Sequence, residues 1–466
     1  MYTGRERLRP SLMTDLYQLT MAGGYFLSRK SEEVTFELFI RSLPPNRSYF
    51  VAAGLEQAVE FLRNLRFDHG DVTFLKGLPA LAHLPDAFFT FLSRFRFEGD
   101  LWGVPEGTLV FPNEPILQVL APLPQAQLVE TFLLSVIHFQ TLVATKASRV
   151  VQAAGGRGVI DFGTRRAHGP EAGVLAARAS FIGGCIGTSN VCAAKEFGIP
   201  VYGTAAHSWT LAFDSEQEAF ERYHAAFPDS TTLLIDTYDT LEGLRKALRL
   251  GPKLRGVRLD SGDLLQLSRE ARRILDEAGL RETRILASGD LNEYKVQALV
   301  QASAPVDLFG VGTEMVTSKD QPALGAVYKL VERREPTRLV YCAKFSEEKE
   351  TFPGRKQVWR TMSDQGTYVR DEICSAEEER TGLSHGLLVP ILERGEPVYT
   401  FPPLEGIRAW ARDGLESLPD DFRRLEGADT YPVAFSSMLR QRVAEMRGAS
   451  GLRPPSASKG SSDQSL

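Results

Sequence analysis

The central part of the chain repeats one pattern: a short apolar segment ends in Gly, Asp, Arg, Ser or Thr and leads into a helical segment. The repeats are GVIDFGTRR at 158–166, VYGTAAHS at 201–208, TLLIDTYD at 232–239, GVRLDSGD at 256–263, RILASGD at 284–290 and DLFGVGTE at 307–314. Amphipathic helical patterns lie between them, at 215–227, 240–250, 264–279 and 292–303. Alternating β and α units predict parallel strands joined by right-handed crossovers. We therefore expect an α/β fold, and six or seven such units in a row favour an irregular (β/α) barrel.

The flanking segments predict a second domain. The first residues combine a helical pattern at 11–30, which should end at Gly23 and Gly24, with a half-buried strand pattern at 33–44. The end of the chain predicts short strands and hairpins, and neither half looks large enough for a complete sheet. The expected division is an N-terminal α+β domain at 1–125, the barrel at 126–323, a β-rich segment at 324–447 that rejoins the first domain, and a disordered tail at 448–466.

Composition limits the classes of partner. A net charge of -5 argues against a general affinity for nucleic acid, although a local basic pocket for a phosphate ester remains possible. No apolar run has the length that a bilayer requires. The four cysteines show no C-x-x-C spacing, which indicates neither a zinc site nor a disulfide framework and suits the reducing cytosol. We expect a cytoplasmic protein that binds neither nucleic acid nor membrane.

The polar strand ends predict the position of an active site, because the catalytic groups of barrels lie where the strands finish. His207 follows one strand among small residues and hydroxyls, and we interpret it as a functional group. His138, within an apolar helical stretch, is expected to pack in the core, and His168 to support or cap a neighbouring element.

The types of residue at these ends predict an anionic ligand. ASGD at 287–290 and GVGTEM at 310–315 would expose backbone N–H groups that favour a phosphate. Arg258 and Asp260 alternate along one strand and so point the same way, which suits a ligand with an anion and hydroxyls, or else a buried ion pair that seals the barrel. Phe162 could stack on a flat ligand while Arg165 and Arg166 hold a phosphate, although these arginines could equally occupy a solvated loop.

Several stretches are similar to those of nicotinate phosphoribosyltransferases, type II phosphoribosyltransferases of NAD synthesis. The similarity runs through almost the whole chain except its first ten residues and its tail, with motifs in the family's order. These are MTDLYQLTM at 13–21, FGTRRAHG at 162–169, GTAAHS at 203–208, RLDSGDL at 258–264, SGDLN at 288–292, GVGTEMVTS at 310–318, PGRKQVWR at 353–360 and YPVAFS at 431–436.

The resemblance implies the reaction and the roles of particular residues. Nicotinate and phosphoribosyl pyrophosphate would give nicotinate mononucleotide and pyrophosphate, coupled to hydrolysis of the co-substrate ATP through a phosphohistidine at His207. Tyr17 and Thr204 would contact nicotinate, Arg258 its carboxylate, and Thr313 the phosphoribosyl group. Tyr17 would reach the site of a neighbouring subunit, which implies a homodimer with shared active sites.

Combining both lines of inference gives one predicted site. The catalytic residues are His207, Asp260 and Arg258. The substrate contacts are Tyr17, Phe162, Arg165, Thr204, Arg258, Ser288, Gly289, Gly312 and Thr313. Mg²⁺ should neutralise the phosphates, although no ligands for it are assigned. The chain lacks the cysteine-rich tail of some members of this family, so we expect no structural zinc.

Four other functions remain open on the sequence. The chain could use nicotinamide in place of nicotinate, and a weaker alternative is quinolinate, whose two carboxylates should require further basic groups. Asp260 and Asp263 could be the acid and base of a barrel glycosidase. A non-catalytic interaction module would require a broken site, and the strand-end groups look intact.

Overall fold

The computed structural model describes residues 10–345 and 350–449. The strands, in chain order, are β1 Glu33–Ile40, β2 Phe50–Val51, β3 Asp100–Gly103, β4 Leu109–Val110, β5 Pro115–Pro122, β6 Gly158–Asp161, β7 Gly187–Thr188, β8 Thr232–Leu234, β9 Gly256–Leu259, β10 Arg284–Ala287, β11 Leu308–Val311, β12 Ala326–Glu335, β13 Arg338–Tyr341, β14 Lys356–Met362, β15 Tyr368–Ser375, β16 Ser384–Gly386, β17 Val389–Glu393, β18 Glu396–Pro397 and β19 Val433–Phe435.

Helices occupy the segments between these strands. They are α1 Leu16–Leu27, α2 Leu55–Asn64, α3 His69–Lys76, α4 Asp86–Ser93, α5 Leu123–Leu128, α6 Glu130–Ala153, α7 Pro170–Ile182, α8 Val191–Phe197, α9 His207–Leu211, α10 Glu216–Ala226, α11 Thr240–Ala247, α12 Leu264–Glu277, α13 Glu293–Gln301, α14 Thr313–Val316, α15 Leu404–Ser417 and α16 Ser437–Ala449. Short 3-10 turns lie at Pro10–Leu12, Thr164–Arg166, Leu248–Lys253 and Asp420–Phe422. No helix in the described ranges is long and apolar enough to cross a membrane.

A six-stranded parallel sheet carries five of the six predicted strand ends; the sixth, in VYGTAAHS at 201–208, has only an isolated bridge at Val201, and β7 was not predicted. Its order is β7-β6-β11-β10-β9-β8, and a single parallel bridge from Thr188 to Val201 extends it beyond β7. Its strands are short and mostly buried, as expected when helices cover both faces of a parallel sheet. The predicted mixed α/β fold with a parallel sheet is confirmed. Across the described residues, no hydrogen-bonded ladder joins β8 at one edge of the sheet to the isolated bridge at Val201 beyond the other edge, so barrel closure stays a prediction.

A second, seven-stranded sheet joins the two ends of the chain. Its order is β13-β12-β1-β5-β3-β17-β18, so strands from the C-terminal segment pair with β1 and β3. The expectation that β1 is half-buried was wrong, because seven of its eight residues are buried. Elements that pack against the sheet explain this, because α5 contacts β1 and the polar Glu37 is paired with Lys356 of β14 across 2.6 Å. The predicted domain boundaries stay predictions.

The first helix continues through the two glycines that were expected to end it. Helix α1 runs from Leu16 to Leu27. A Cβ atom at Gly23 would lie 2.6 Å from Leu84 Cδ1, so the glycine allows close packing against Leu84 instead of terminating the helix. Gly23 is therefore a packing residue, whereas a Cβ atom at Gly24 would meet no atom within 4 Å.

The C-terminal segment contains more helix than its β-rich pattern predicted. Helices α15 and α16 follow the short strands, and α16 packs against β15. The predicted disordered tail begins inside α16, because residues 448 and 449 are its last two residues. The remainder of that tail, 450–466, lies outside the described residues.

Candidate active site

The carboxyl ends of the parallel strands surround a cleft of about 240 Å³. Eight of the predicted site residues line it: Phe162, Arg165, Arg258, Asp260, Ser288, Gly289, Gly312 and Thr313. Parallel strands bring their ends to one edge, so residues more than 100 positions apart in the chain face one space. Arg166, Asp290 and Gly310 complete the lining.

Arg258 is the centre of the hydrogen-bond network in this cleft. Its Nε donates to Ser288 Oγ at 2.8 Å, Nη1 to Thr204 Oγ1 at 3.0 Å and Nη2 to Asp260 Oδ1 at 2.7 Å. Its guanidinium carbon lies 5.2 Å from the centre of the Phe162 ring. The side chain is 12% exposed, so it is held rigidly while part of it still faces the cleft. The alternative of an ion pair that seals the barrel does not fit this exposure.

Asp260 keeps a charged carboxylate beside this arginine. Burial alone would raise its pKa, but the hydrogen bond from Ser288 Oγ and the guanidinium of Arg258 together hold the pKa below its usual range. The Ser288 bond is 2.5 Å long. The positive guanidinium is thereby fixed by a permanent negative partner, and its remaining N–H groups can bind an anion.

Glycine backbones bring four chain segments into close contact around the cleft. Gly289 has a φ of +96°, and a Cβ atom there would lie 2.0 Å from the carbonyl oxygen of Asp260. A Cβ atom at Gly310 would lie 2.5 Å from the Phe162 ring. Because no larger residue fits at these two positions, backbone N–H groups can approach a ligand directly.

Arg165 and Arg166 supply positive charge to the cleft. Both belong to the 3-10 turn Thr164–Arg166 after β6 and line the cavity. Neither guanidinium has an ion-pair partner among residues 10–345 and 350–449. Such uncompensated arginines beside exposed backbone N–H groups make the cleft suited to phosphate groups.

His207 adjoins the cleft from its first position in α9. Its Nδ1 lies 3.1 Å from Thr237 Oγ1, and its Nε2 lies 3.9 Å from Asp236 Oδ1. The ring is 43% exposed, so one side of it is open to a ligand. Thr204, three residues earlier, connects the same loop to Arg258. His138 and His168 do not line the cleft, and His138 Nε2 accepts a hydrogen bond from Leu324 N at 2.8 Å.

Asp236 is a site residue that sequence reasoning missed. Its Oδ2 accepts hydrogen bonds from Asp260 N at 3.1 Å and Ser261 Oγ at 2.7 Å. Its Oδ1 is buried, has no hydrogen-bond partner in the described structure, and faces His207. The sequence could have indicated Asp236, because it lies at the end of the apolar segment in TLLIDTYD. Each of the other five segments of this kind contains at least one residue assigned to the site.

Asp263 is a helix cap and does not act with Asp260. Its Oδ1 accepts hydrogen bonds from the backbone N–H groups of Leu265 and Gln266, both at 3.1 Å, at the start of α12. It does not line the cleft. The two carboxylates therefore do not form the facing pair that a glycosidase requires.

Tyr17 lies away from the cleft of its own chain. It is 46% exposed on α1, and its hydroxyl accepts a hydrogen bond from Gln18 Nε2 at 3.4 Å. Met13, Leu16 and Met21 are also exposed there. The structure thus brings together every predicted site residue except Tyr17, whose assignment to a neighbouring subunit stays a prediction.

The described residues contain no group of three or more His, Cys, Asp or Glu side chains arranged to hold a metal ion. Carboxylates do border the cleft, at Asp260 and Asp290, and Asp236 lies directly behind it. These donors are fewer than a protein-only cage uses. A cation here would need oxygen ligands from a bound substrate.

Comparison with known proteins covers most of the chain. Models of the nicotinate phosphoribosyltransferase N-terminal domain, family and C-terminal domain match residues 12–138, 158–369 and 383–443. A nicotinate phosphoribosyltransferase of Mycobacterium tuberculosis is 47% identical over 447 residues, with 94% of each chain covered. One of Bacillus subtilis is 40% identical over 94% of this chain and 96% of its own. The crystal structure of human nicotinic acid phosphoribosyltransferase superposes with a TM-score of 0.82 at 31% identity, covering 93% of this chain and all of that one.

Proposed function

We propose a complete reaction for this chain, which belongs to the nicotinate phosphoribosyltransferase family. Its activity is the transfer of a phosphoribosyl group to nicotinate, the first step of NAD synthesis from that base. The substrates of this step are nicotinate and phosphoribosyl pyrophosphate, and its products are nicotinate mononucleotide and pyrophosphate. ATP hydrolysis through a phosphohistidine, Mg²⁺ and a homodimer complete the proposal.

The observation that carries the assignment of roles is the network around Arg258. We assign the carboxylate of nicotinate to the free N–H groups of Arg258 and the pyridine ring to the face of Phe162. The phosphate groups would lie against Arg165, the Ser288–Gly289 backbone and the Gly312–Thr313 turn. In this arrangement Asp260 positions Arg258 and, on the cleft side, can accept hydrogen bonds from ribose hydroxyls.

The chemistry that these groups must support is mainly electrostatic. The ring nitrogen of nicotinate attacks the anomeric carbon of the ribose while the bond to the pyrophosphate oxygen breaks. Positive charge develops on the ribose and negative charge on the leaving group, so fixed charges and correct positioning lower the barrier. Arg165 and Arg166 oppose the charge that grows on the pyrophosphate. No protein base is required, because the nucleophile has no proton to lose.

Mg²⁺ fits the donors beside the cleft. It commonly takes one or two carboxylates together with substrate phosphates, and Asp236 Oδ1 is a buried carboxylate oxygen without a partner in the part of the chain that the structure describes. We propose Asp236 and Asp260 as the residues that would hold it. When bound, the ion would neutralise charge on the pyrophosphate.

His207 is the proposed acceptor of a phosphoryl group from ATP. An imidazole nitrogen would form a bond to the γ-phosphorus while the bond to the ADP oxygen breaks, and water would later hydrolyse the phosphohistidine. The new group adds roughly two negative charges beside the loop that carries Thr204. Because Thr204 accepts a hydrogen bond from Arg258, the charge change can alter substrate affinity through this contact.

The test is an assay for nicotinate mononucleotide with and without ATP, and with nicotinamide in place of nicotinate at equal concentration. We expect product from nicotinate, a higher yield with ATP, and much slower use of the amide. A preference for nicotinamide would overturn the substrate assignment. Equal yields with and without ATP would overturn the proposed coupling but leave the transfer reaction intact. The cytoplasmic location expected from the sequence stays a prediction.

A further inference from the structure

Four arginines surround a second cavity, of about 390 Å³, which we call the arginine pocket. They are Arg63, Arg66, Arg96 and Arg394, and the carboxylates of Glu98 and Glu396 also line it. The lining contains no lysine. It shares no residue with the cleft at the ends of the parallel strands.

Arg66 and Arg96 occupy equivalent positions in two matching segments. Each follows a helix, α2 or α4, and lies exposed between two buried apolar residues in the segments LRF at 65–67 and FRF at 95–97. The rings of Phe67 and Phe95 meet edge to face with centres 5.7 Å apart, which sets the two segments side by side. In each arginine, Nη1 donates to the preceding carbonyl at 2.6 Å.

Arg394 reaches the pocket from a tight hairpin. Arg394 and Gly395 connect β17 to β18 with φ values of +50° and +79°. A Cβ atom at Gly395 would lie 2.3 Å from the carbonyl oxygen of Phe97, and Gly395 N donates to Gly99 O at 2.8 Å. The hairpin is therefore seated directly against the segment that carries Arg96.

The positive charges of the pocket are not neutralised by the protein. None of the four arginines has a carboxylate within 4.0 Å among the residues that the structure describes, and this includes Glu98 and Glu396. Partial burial and the neighbouring charge of Arg96 lower the pKa of Arg66. Four cations and two anions leave a local excess of two positive charges, in a chain whose net charge is -5. A bound anion would reduce the repulsion between these like charges.

We propose that the arginine pocket binds a small oligophosphate, an anion with two or more phosphate groups. The cavity volume is within the range of small-molecule sites. Guanidinium groups match phosphate oxygens in a two-point geometry, and four of them from three chain segments suit more than one phosphate group. The ligand would connect α2, α4 and the β17–β18 hairpin, at the edge of the seven-stranded sheet. This inference does not depend on the reaction proposed for the cleft.

The test is calorimetric titration of the full chain with sodium tripolyphosphate, without Mg²⁺. Two binding events are expected. The cleft event should disappear in the double variant Arg165→Gln with Arg166→Gln. The other should weaken at least tenfold in the double variant Arg66→Gln with Arg96→Gln. Arg94→Gln is the matched control, because Arg94 is exposed and directly precedes the segment 95–97 but does not line the pocket, and both events should persist in this variant.

Four results would overturn the proposal. The first is loss of all tripolyphosphate binding in the double variant Arg165→Gln with Arg166→Gln. The second is equal weakening in Arg94→Gln, which would indicate general charge attraction. The third is tighter binding of a DNA oligomer or polyglutamate than of tripolyphosphate, dependent on Arg66 and Arg96, which would assign the pocket to a macromolecule. If the double variant Arg66→Gln with Arg96→Gln fails to fold, the single variants Arg63→Gln and Arg394→Gln should each weaken binding at the arginine pocket. Unchanged binding in both would be the fourth result, and it would refute the site.

Discussion

Replacing Arg258 with alanine should separate recognition of the nicotinate carboxylate from the rest of the reaction. A hydrogen bond to a charged group contributes about 1.5–3 kcal/mol, which corresponds to a rise of roughly 10- to 150-fold in KM for nicotinate. Asp260 would lose its guanidinium partner but keep Ser288, and at 31% exposure it can be solvated. The fold should therefore survive the change. The KM for phosphoribosyl pyrophosphate should change much less, because its phosphates are proposed to lie against other residues.

The assay is a set of initial rates at saturating phosphoribosyl pyrophosphate with varied nicotinate, repeated with nicotinamide. Loss of Arg258 should reduce the preference for the acid over the amide, since only the acid presents a full negative charge. Arg255→Ala is the matched control: Arg255 precedes the amino end of the same strand, is exposed, and is absent from the cleft lining. Melting curves of both variants report whether the fold is kept.

An unchanged KM for nicotinate in Arg258→Ala would refute the proposed role. So would an equal rise in Arg255→Ala, because a general loss of positive charge would then explain the effect. Thr204→Val gives a graded check, since it removes one neutral partner of Arg258 and should cost about 0.5–1.5 kcal/mol, or roughly 2- to 12-fold in KM.

Three further predictions address other parts of the molecule. Burial, and next the charge of Asp371, raise the pKa of Glu114 well above its usual range, so the folded chain keeps a proton that the unfolded chain releases above about pH 4.5. Its free energy of unfolding should fall by about 1.4 kcal/mol per pH unit from there up to the raised pKa, and urea titrations of Glu114→Gln should lack this slope. His207→Ala should abolish acid-labile labelling from γ-labelled ATP while sparing slow synthesis; label that persists would place the phosphohistidine elsewhere. Mixed dimers of Tyr17→Ala and Arg258→Ala subunits should recover part of the activity, and no recovery would contradict sites shared between subunits.

Local sequence determined the parallel sheet and most of the cleft. The alternation of short apolar runs with amphipathic helices is a property of neighbouring residues, and it predicted the strands β6, β8, β9, β10 and β11 in order. Parallel strands share one edge, so the residues after each run had to meet there. This is why Phe162, Arg258 and Ser288 could be assigned to one site before their distances were known.

The tertiary structure decided which of those polar groups have partners. Asp263 looked equivalent to Asp260 in RLDSGD, but its oxygen is used by the N-terminus of α12. Asp236 is a candidate functional residue only because its Oδ1, which has no hydrogen-bond partner among the described residues, faces His207. The two residues belong to different β/α units of the chain. Hydrogen bonds between segments distant in the chain leave no local pattern in the sequence.

Packing between distant segments also determined the features that local sequence patterns predicted wrongly. Gly23 permits contact with Leu84 instead of ending α1. Strand β1 is buried because elements distant in the chain, among them α5 and Lys356 of β14, pack against it. The arginine pocket exists because a contact between Phe67 and Phe95 aligns two segments and a hairpin about 300 residues further on closes over them. Local patterns record the preferences of neighbouring residues, whereas long-range contacts depend on how the whole chain packs.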